Sequence, residues 1–312
     1  MLMKYVFVDN DDARSVWPDI FRPDRPDIVL WFLATLVIAL FPAKAVANPV
    51  DEFPEGAKII SIGGTLTEIV YALGAGDRLI ARDTTSTYPA EAQNLPDVGY
   101  MRNLSPEGIL SLRPEAILLD QQSGPASTIE ILENAGVPMV EVAENFTKEG
   151  VDEKILKIGH ALHKQEKAQQ LIATVDEEFA KNDALLKDLP HTKRILFVLT
   201  IQNGRLMAAG KNTAADGIIK LAGATNAIDG FNGYKLLTDE AIIGARTDLI
   251  LLMAHSATNT TVDDINKIPA IETTPAFKKR AIKQMDGLYL LGFGPRTPIA
   301  IREVIQTLYT SE

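Results

Sequence analysis

The 312-residue chain contains no cysteine. That excludes disulfides, thiolate metal sites and cysteine nucleophiles, and with them the lipidated cysteine that tethers many exported bacterial proteins. Histidine is scarce, at four residues. His160 and His163 share a helix-like spacing, but no third ligand lies near them in sequence, so they read as a solvated helix face rather than a zinc site. Gly63-Gly64 has no following Lys-Ser/Thr, and neither a dinucleotide fingerprint nor a G-x-S-x-G elbow occurs. No acid, base and nucleophile constellation is visible, and the chain is not expected to be an enzyme. Basic charge is also short. Against 41 acidic residues stand 31 basic ones, a net charge of −10, which makes nucleic acid a poor partner.

The uncharged apolar stretch Ile28–Phe41 has 14 residues, whereas a membrane span needs about 20. It follows Arg22 and Arg25 and precedes a proline and Ala45-Val46-Ala47. This is the grammar of a secretory signal peptide. Residues 1–47 are therefore expected to be removed by cleavage near Ala47. The mature chain would be a free periplasmic protein, monomeric and not inserted in a membrane. Its 26 basic and 35 acidic residues give it a net charge of −9.

Within that mature chain one segment occurs twice. Leu104–Leu119 recurs as Leu237–Leu252 at an offset of 133 residues without a gap. Identical pairs include Glu107/Glu240, Ile109/Ile242, Arg113/Arg246 and the closing Ile-Leu-Leu. Gly99-Tyr100 and Gly233-Tyr234 precede the two copies with one residue of slippage. Solenoid repeats run at about 20–50 residues, so this long period predicts two similar lobes. Between two lobes lies a cleft, where small ligands usually bind.

The pattern around the repeat alternates β and α. Lys58–Gly63 reads as a strand, Thr65–Leu73 as a helix closed by Gly74, and Leu79–Ala81 as a strand followed by the polar loop 83–89. Ser105 and Thr238 can cap short helices, with Pro106 at the first helical position. Val137–Val142, the strand starting at Arg194, and Gly287–Leu291 read as further strands, and 298–308 reads as a helix. Val151–Leu189 reads as one long helix with a break admissible near His163. The expected fold is α/β: two Rossmann-like lobes with parallel sheets, joined by one long helix, with the ligand cleft between them. The expected boundaries are a signal peptide at 1–47, an N-terminal lobe at 48–150, a linking helix at 151–190 and a C-terminal lobe at 191–312.

Four motifs carry a resemblance. Gly63-Gly-Thr-Leu-Thr-Glu68, Asp83-Thr-Thr-Ser-Thr-Tyr-Pro89, Met207-Ala-Ala-Gly210 and Leu290-Leu-Gly-Phe-Gly-Pro-Arg-Thr-Pro298 are similar to those of bacterial hemin-binding proteins. These are the periplasmic substrate-binding components of heme ABC importers, in a superfamily that also carries vitamin B12 and ferric siderophores. The resemblance spans residues 57–310. It implies hemin (heme b) as a transported ligand and Tyr88 as its iron ligand. Phenolate is a hard anionic oxygen donor suited to ferric iron, and tyrosine is an established axial ligand of heme.

His255 follows the repeated strand of the second lobe, as Gln122 follows that of the first. Both are expected to open onto the cleft, since ligands of open α/β sheets sit beyond the strands' carboxyl ends. His255 is a candidate second iron ligand or hydrogen-bond partner. Tyr100 and Tyr234 are candidates to flank the porphyrin, and Arg102, Lys235 and Arg296 to hold its propionates. Tyr88 has no counterpart at position 221, a leucine, so ligation should be led by the first lobe. The resemblance further implies that Glu107 and Glu240 dock onto arginines of the inner-membrane permease. An acidic residue in a helix's first turn also suits the helix dipole, which would account for each glutamate without a partner. A ferric siderophore or cobalamin as cargo, an exported α/β enzyme, and a heme-sequestering protein without a transporter stay open at this point.

Overall fold

The computed structural model describes residues 51–189, 192–254 and 260–310. The expected signal peptide and His255 lie outside the described residues.

The first lobe is built on strands β1 (Ile59–Ile62), β2 (Leu79–Arg82), β3 (Ala116–Asp120) and β4 (Met139–Val142). They form a parallel sheet in the order β2-β1-β3-β4. Helices α1 (Gly64–Ala72), α2 (Pro106–Ser111), α3 (Ala126–Asn134) and α4 (Lys148–Ala161) complete it. Alternate strand residues feed two cores. Ile59, Leu118, Val140 and Val142 pack into one cluster, and Ile60, Ile62, Ile117 and Leu119 into the other. A parallel sheet buried on both faces explains why these strands read as uninterrupted apolar runs.

The expected long helix divides at His163, which takes a left-handed φ of 58°. After it, α5 (Gln165–Leu186) runs for 22 residues, a rod of about 33 Å. The second lobe holds β5 (Arg194–Gln202), β6 (Arg205–Ala209), α6 (Ala214–Leu221), β7 (Thr225–Asn226), β8 (Tyr234–Leu236), α7 (Asp239–Gly244) and β9 (Leu249–Ala254). It continues through α8 (Val262–Asn266), α9 (Pro269–Glu272), α10 (Pro275–Lys278), β10 (Ile282–Asp286), α11 (Gly287–Leu291) and α12 (Thr297–Thr310).

Two expectations are corrected here. The second sheet is mixed rather than parallel: its order is β10-β9-β5-β6-β8, with β6 antiparallel to both β5 and β8. The cause is Asn203-Gly204, with φ of 50° and 75°. Two consecutive left-handed residues make the tight turn that folds β5 directly back as a hairpin. The stretch Gly287–Leu291 is a helical turn, not a strand. The edge strand is the preceding Ile282–Asp286, and the Asp286 carboxylate caps the helix by accepting from the Tyr289 N–H at 2.8 Å. A short apolar run does not by itself distinguish a strand from a buried helical turn.

The two copies of the repeat share their local structure. Ser105 and Thr238 each accept a hydrogen bond from the amide three residues on. Ile109 and Ile242 are buried beneath their helices. Arg113 and Arg246 both adopt a left-handed backbone, with φ of 50° and 47°. Among the described residues, no helix is long and apolar enough to cross a membrane.

Candidate functional site

The loop carrying Tyr88 leaves the carboxyl end of β2 and is organised by one buried carboxylate. Asp83 Oδ1 accepts from the Gly63 N–H at 3.0 Å and the Ser86 hydroxyl at 2.7 Å. Its Oδ2 accepts from the Thr85 N–H at 2.9 Å and the Thr85 hydroxyl at 2.7 Å. The Thr85 hydroxyl in turn accepts from the Gly64 N–H at 2.9 Å, and the Ser86 and Thr67 hydroxyls lie 2.7 Å apart. The Gly-Gly-Thr-Leu-Thr motif and the Tyr88 loop are therefore one hydrogen-bonded unit. Gly64 is required sterically, since a Cβ there would stand 2.5 Å from the Thr85 carbonyl oxygen. Held this way, Tyr88 keeps 42% of its surface exposed.

The second lobe meets this unit through residues 287–298. The Arg296 guanidinium carbon lies 3.5 Å from the centre of the Tyr88 ring and 5.3 Å from that of Tyr289. Its Nε and Nη2 donate to the two oxygens of Glu68 at 2.9 and 2.8 Å, a bidentate pair. Glu68 is almost wholly buried on α1. Beside it the Gly292 carbonyl accepts from the Thr65 hydroxyl at 2.6 Å and from Lys154 Nζ at 3.3 Å. The motifs at 63–68 and 290–298, more than 220 residues apart, thus bind each other. Next to them a recess of about 470 Å3 is lined by Thr87, Tyr88 and Gln93 from one lobe and Asp286, Tyr289 and Arg296 from the other. Burial, with Glu303 adding to it, pushes the Tyr289 hydroxyl up to about 12, so it stays a neutral hydrogen-bonding group at physiological pH.

A second group also spans the lobes. Arg102 donates to the Tyr100 hydroxyl at 3.0 Å and to the Gln122 side-chain oxygen. The same guanidinium acts on Tyr234 of the other lobe. Burial pushes the Tyr234 hydroxyl up, and the Arg102 charge opposes that shift. Tyr100 and Tyr234 are both partly exposed. Lys235 stands apart, with its ammonium 5.2 Å from the centre of the Phe231 ring. Glu107 and Glu240 are exposed at the starts of α2 and α7. Each has its carboxyl held below the usual range by its own backbone N–H and by Ser105 or Thr238. Among the described residues no cluster of three or more His, Cys, Asp or Glu side chains could hold a metal ion.

Of the residues expected from sequence, Tyr88 and Arg296 come together, as do Tyr100, Arg102 and Tyr234. Sequence reasoning missed Glu68, Asp83 and Tyr289. Glu68 carried a usable signal: an acid between Leu66 and Ile69-Val70 on an apolar helix face needs a buried partner.

Lys154, which also reaches the Gly292 carbonyl, forms a buried ion pair with Glu144 at 2.5 Å, with Asp120 close by. Burial is the main cause that lifts the Glu144 carboxyl to about 7. Asp120 adds to the rise and Lys154 opposes it. The folded protein therefore keeps a proton that the unfolded chain releases near its ordinary value of 4.5. Stability falls as pH rises through the window from about 4.5 to 7 and levels off above it. Thermal melts across this window should show the wild type losing ground relative to Glu144→Gln as pH rises. A constant difference between the two would refute the assignment.

Two α/β lobes with a recess at their junction make the architecture of a small-ligand binding protein. The chain belongs to the periplasmic binding protein family, whose model matches residues 59–288, and it is a substrate-binding protein of the kind that serves ABC import. It is similar to the periplasmic heme-binding protein BhuT, solved in complex with two hemes. The two share 37% identity and a TM-score of 0.77 over 82% of this chain and 98% of that one. It is 28% identical to the uncharacterized ABC transporter substrate-binding lipoprotein YvrC of Bacillus subtilis, over 82% of this chain and 81% of YvrC. It is 25% identical to the vitamin B12-binding protein of Vibrio vulnificus, over 86% of this chain and 94% of that protein.

Proposed function

We propose that this protein captures hemin in the periplasm and delivers it to an inner-membrane ABC permease. The observation that carries the reading is Tyr88: an exposed phenol on a rigidly braced loop, beside a recess that both lobes line. Tyr88 would ligate the iron through its phenolate, with the Arg296 guanidinium stacked over its ring. Two of the Arg296 N–H groups are already spent on Glu68, so this guanidinium serves Tyr88 rather than a propionate. Arg102, which also bonds Tyr100 and Gln122, and Lys235 would be the propionate partners. His255 would approach from the second lobe. Tyr100 and Tyr234 would flank the porphyrin, and Glu107 and Glu240 would dock on the permease. The likeness to a heme-binding protein at 37% identity supports the cargo.

A cobalamin is the second reading, favoured by the similarity to a vitamin B12-binding protein. Parallel absorption titrations of the mature protein with hemin and cyanocobalamin discriminate them. Saturable binding of hemin alone is expected, and tight binding of cyanocobalamin without hemin binding would replace heme as the cargo.

A further inference from the structure

Seven of the sixteen positions in the repeat are identical between its two copies. Burial explains five of them. Leu104/Leu237, Ile109/Ile242, Ile117/Ile250, Leu118/Leu251 and Leu119/Leu252 are all core residues, each no more than 5% exposed. The other two identical pairs are charged and exposed: Glu107/Glu240 and Arg113/Arg246. Packing accounts for neither.

The arginines are the less expected of the two pairs. Both stand two residues past the last residue of a short helix with φ near +50°, where a glycine or asparagine is the residue of least strain. Neither guanidinium makes a hydrogen bond or ion pair among the described residues. A left-handed arginine therefore recurs in both lobes where the backbone favours a smaller residue, and among the described residues no hydrogen bond, ion pair or ring contact uses its side chain. The shared backbone conformation projects the two side chains equivalently from their lobes. Each lobe then offers the same bipolar patch, with a carboxylate at the start of the helix and a guanidinium just past its end.

We infer that Arg113 and Arg246 are the second half of the permease-docking surface. The partner is then a pair of like subunits, each of which meets one lobe with a basic group opposite the glutamate and an acidic group opposite the arginine. The inference rests on the transport role proposed above. Opposite charges on one patch fix register as well as attraction, because a slipped or inverted complex sets like charges together. A purely acidic patch would dock on any basic surface.

The test is hemin uptake by cells that express the full chain together with its permease, alongside hemin titration of each purified variant. Arg113→Gly/Arg246→Gly is the primary variant, since glycine suits the left-handed backbone and removes both charges without threatening the fold. Arg113→Glu/Arg246→Glu is the second. Uptake should fall about tenfold in the first and further in the second, with hemin binding unchanged, as expected for the loss of charges that set encounter and orientation. Unaltered uptake in both arginine variants, with Glu107→Ala/Glu240→Ala defective, would overturn the inference and leave the transport reading intact. Unaltered uptake in all three would overturn the docking surface as a whole, and absence of hemin binding by the wild type would overturn the proposed cargo instead.

Discussion

Replacing Asp83 with alanine should destabilise the protein by about 4 kcal/mol and abolish ordered presentation of Tyr88. The substitution strands the Gly63 and Thr85 amides without an acceptor, at about 1–3 kcal/mol each, and removes two charge-assisted bonds from the Thr85 and Ser86 hydroxyls. The hydroxyls can rotate toward other acceptors, but the amides cannot. Asp83→Asn should lose less, because one amide oxygen remains while its NH2 faces donors. Denaturant unfolding of the three proteins measures this order, and a loss under 1 kcal/mol in the alanine variant would contradict the account. Affinity for hemin should fall in parallel, because the loop that fails is the one carrying the proposed ligand.

The second large effect is expected at Glu68. Its carboxylate is almost fully buried and its partner Arg296 largely so. Truncating Glu68 to alanine leaves a guanidinium without its counter-charge at the junction of the lobes, a class of change that costs about 3–5 kcal/mol. The cost belongs to the abandoned partner, so Glu68→Ala/Arg296→Met should be more stable than Glu68→Ala alone. A double-mutant cycle should return a coupling of about 2 kcal/mol or more. Additive single effects would show that the two side chains do not depend on each other. The same cycle bears on lobe motion. The Glu68–Arg296 pair and the bonds from Thr65 and Lys154 to the Gly292 carbonyl tie residues 287–298 to the first lobe. With the pair intact, apo and hemin-bound scattering profiles should be similar.

Much of this architecture was legible in the chain because the repeat is dense in core residues. Leu104, Ile109 and the Ile-Leu-Leu strand recur at one offset, and one offset can only mean two like lobes. The loop that presents Tyr88 is legible because its motif is local. What escaped was of two kinds. The helical turn Gly287–Leu291 reads as a strand in sequence because five mostly apolar residues carry no period, and the cap that decides it, Asp286, acts through a single side chain. The hairpin at Asn203-Gly204 was announced by its two turn residues, but the alternation of strand and helix around it favoured a parallel reading. Glu68 and Arg296 were each seen within their motifs. Their pairing spans 228 residues and belongs to the tertiary fold. The role of Asp83 is hidden for the opposite reason: in a run of polar residues any one of them can brace the loop, and only the four hydrogen bonds it accepts in the fold single out the carboxylate.

The most direct test of the central claim is an absorption titration of the mature protein with hemin, run beside Tyr88→Phe. The account predicts a saturable shift of the Soret band in the wild type, with the charge-transfer absorption of a ferric phenolate complex. In Tyr88→Phe that absorption should be absent and affinity sharply reduced, with the fold unchanged. No Soret shift in the wild type, or the same spectrum in both proteins, would contradict it.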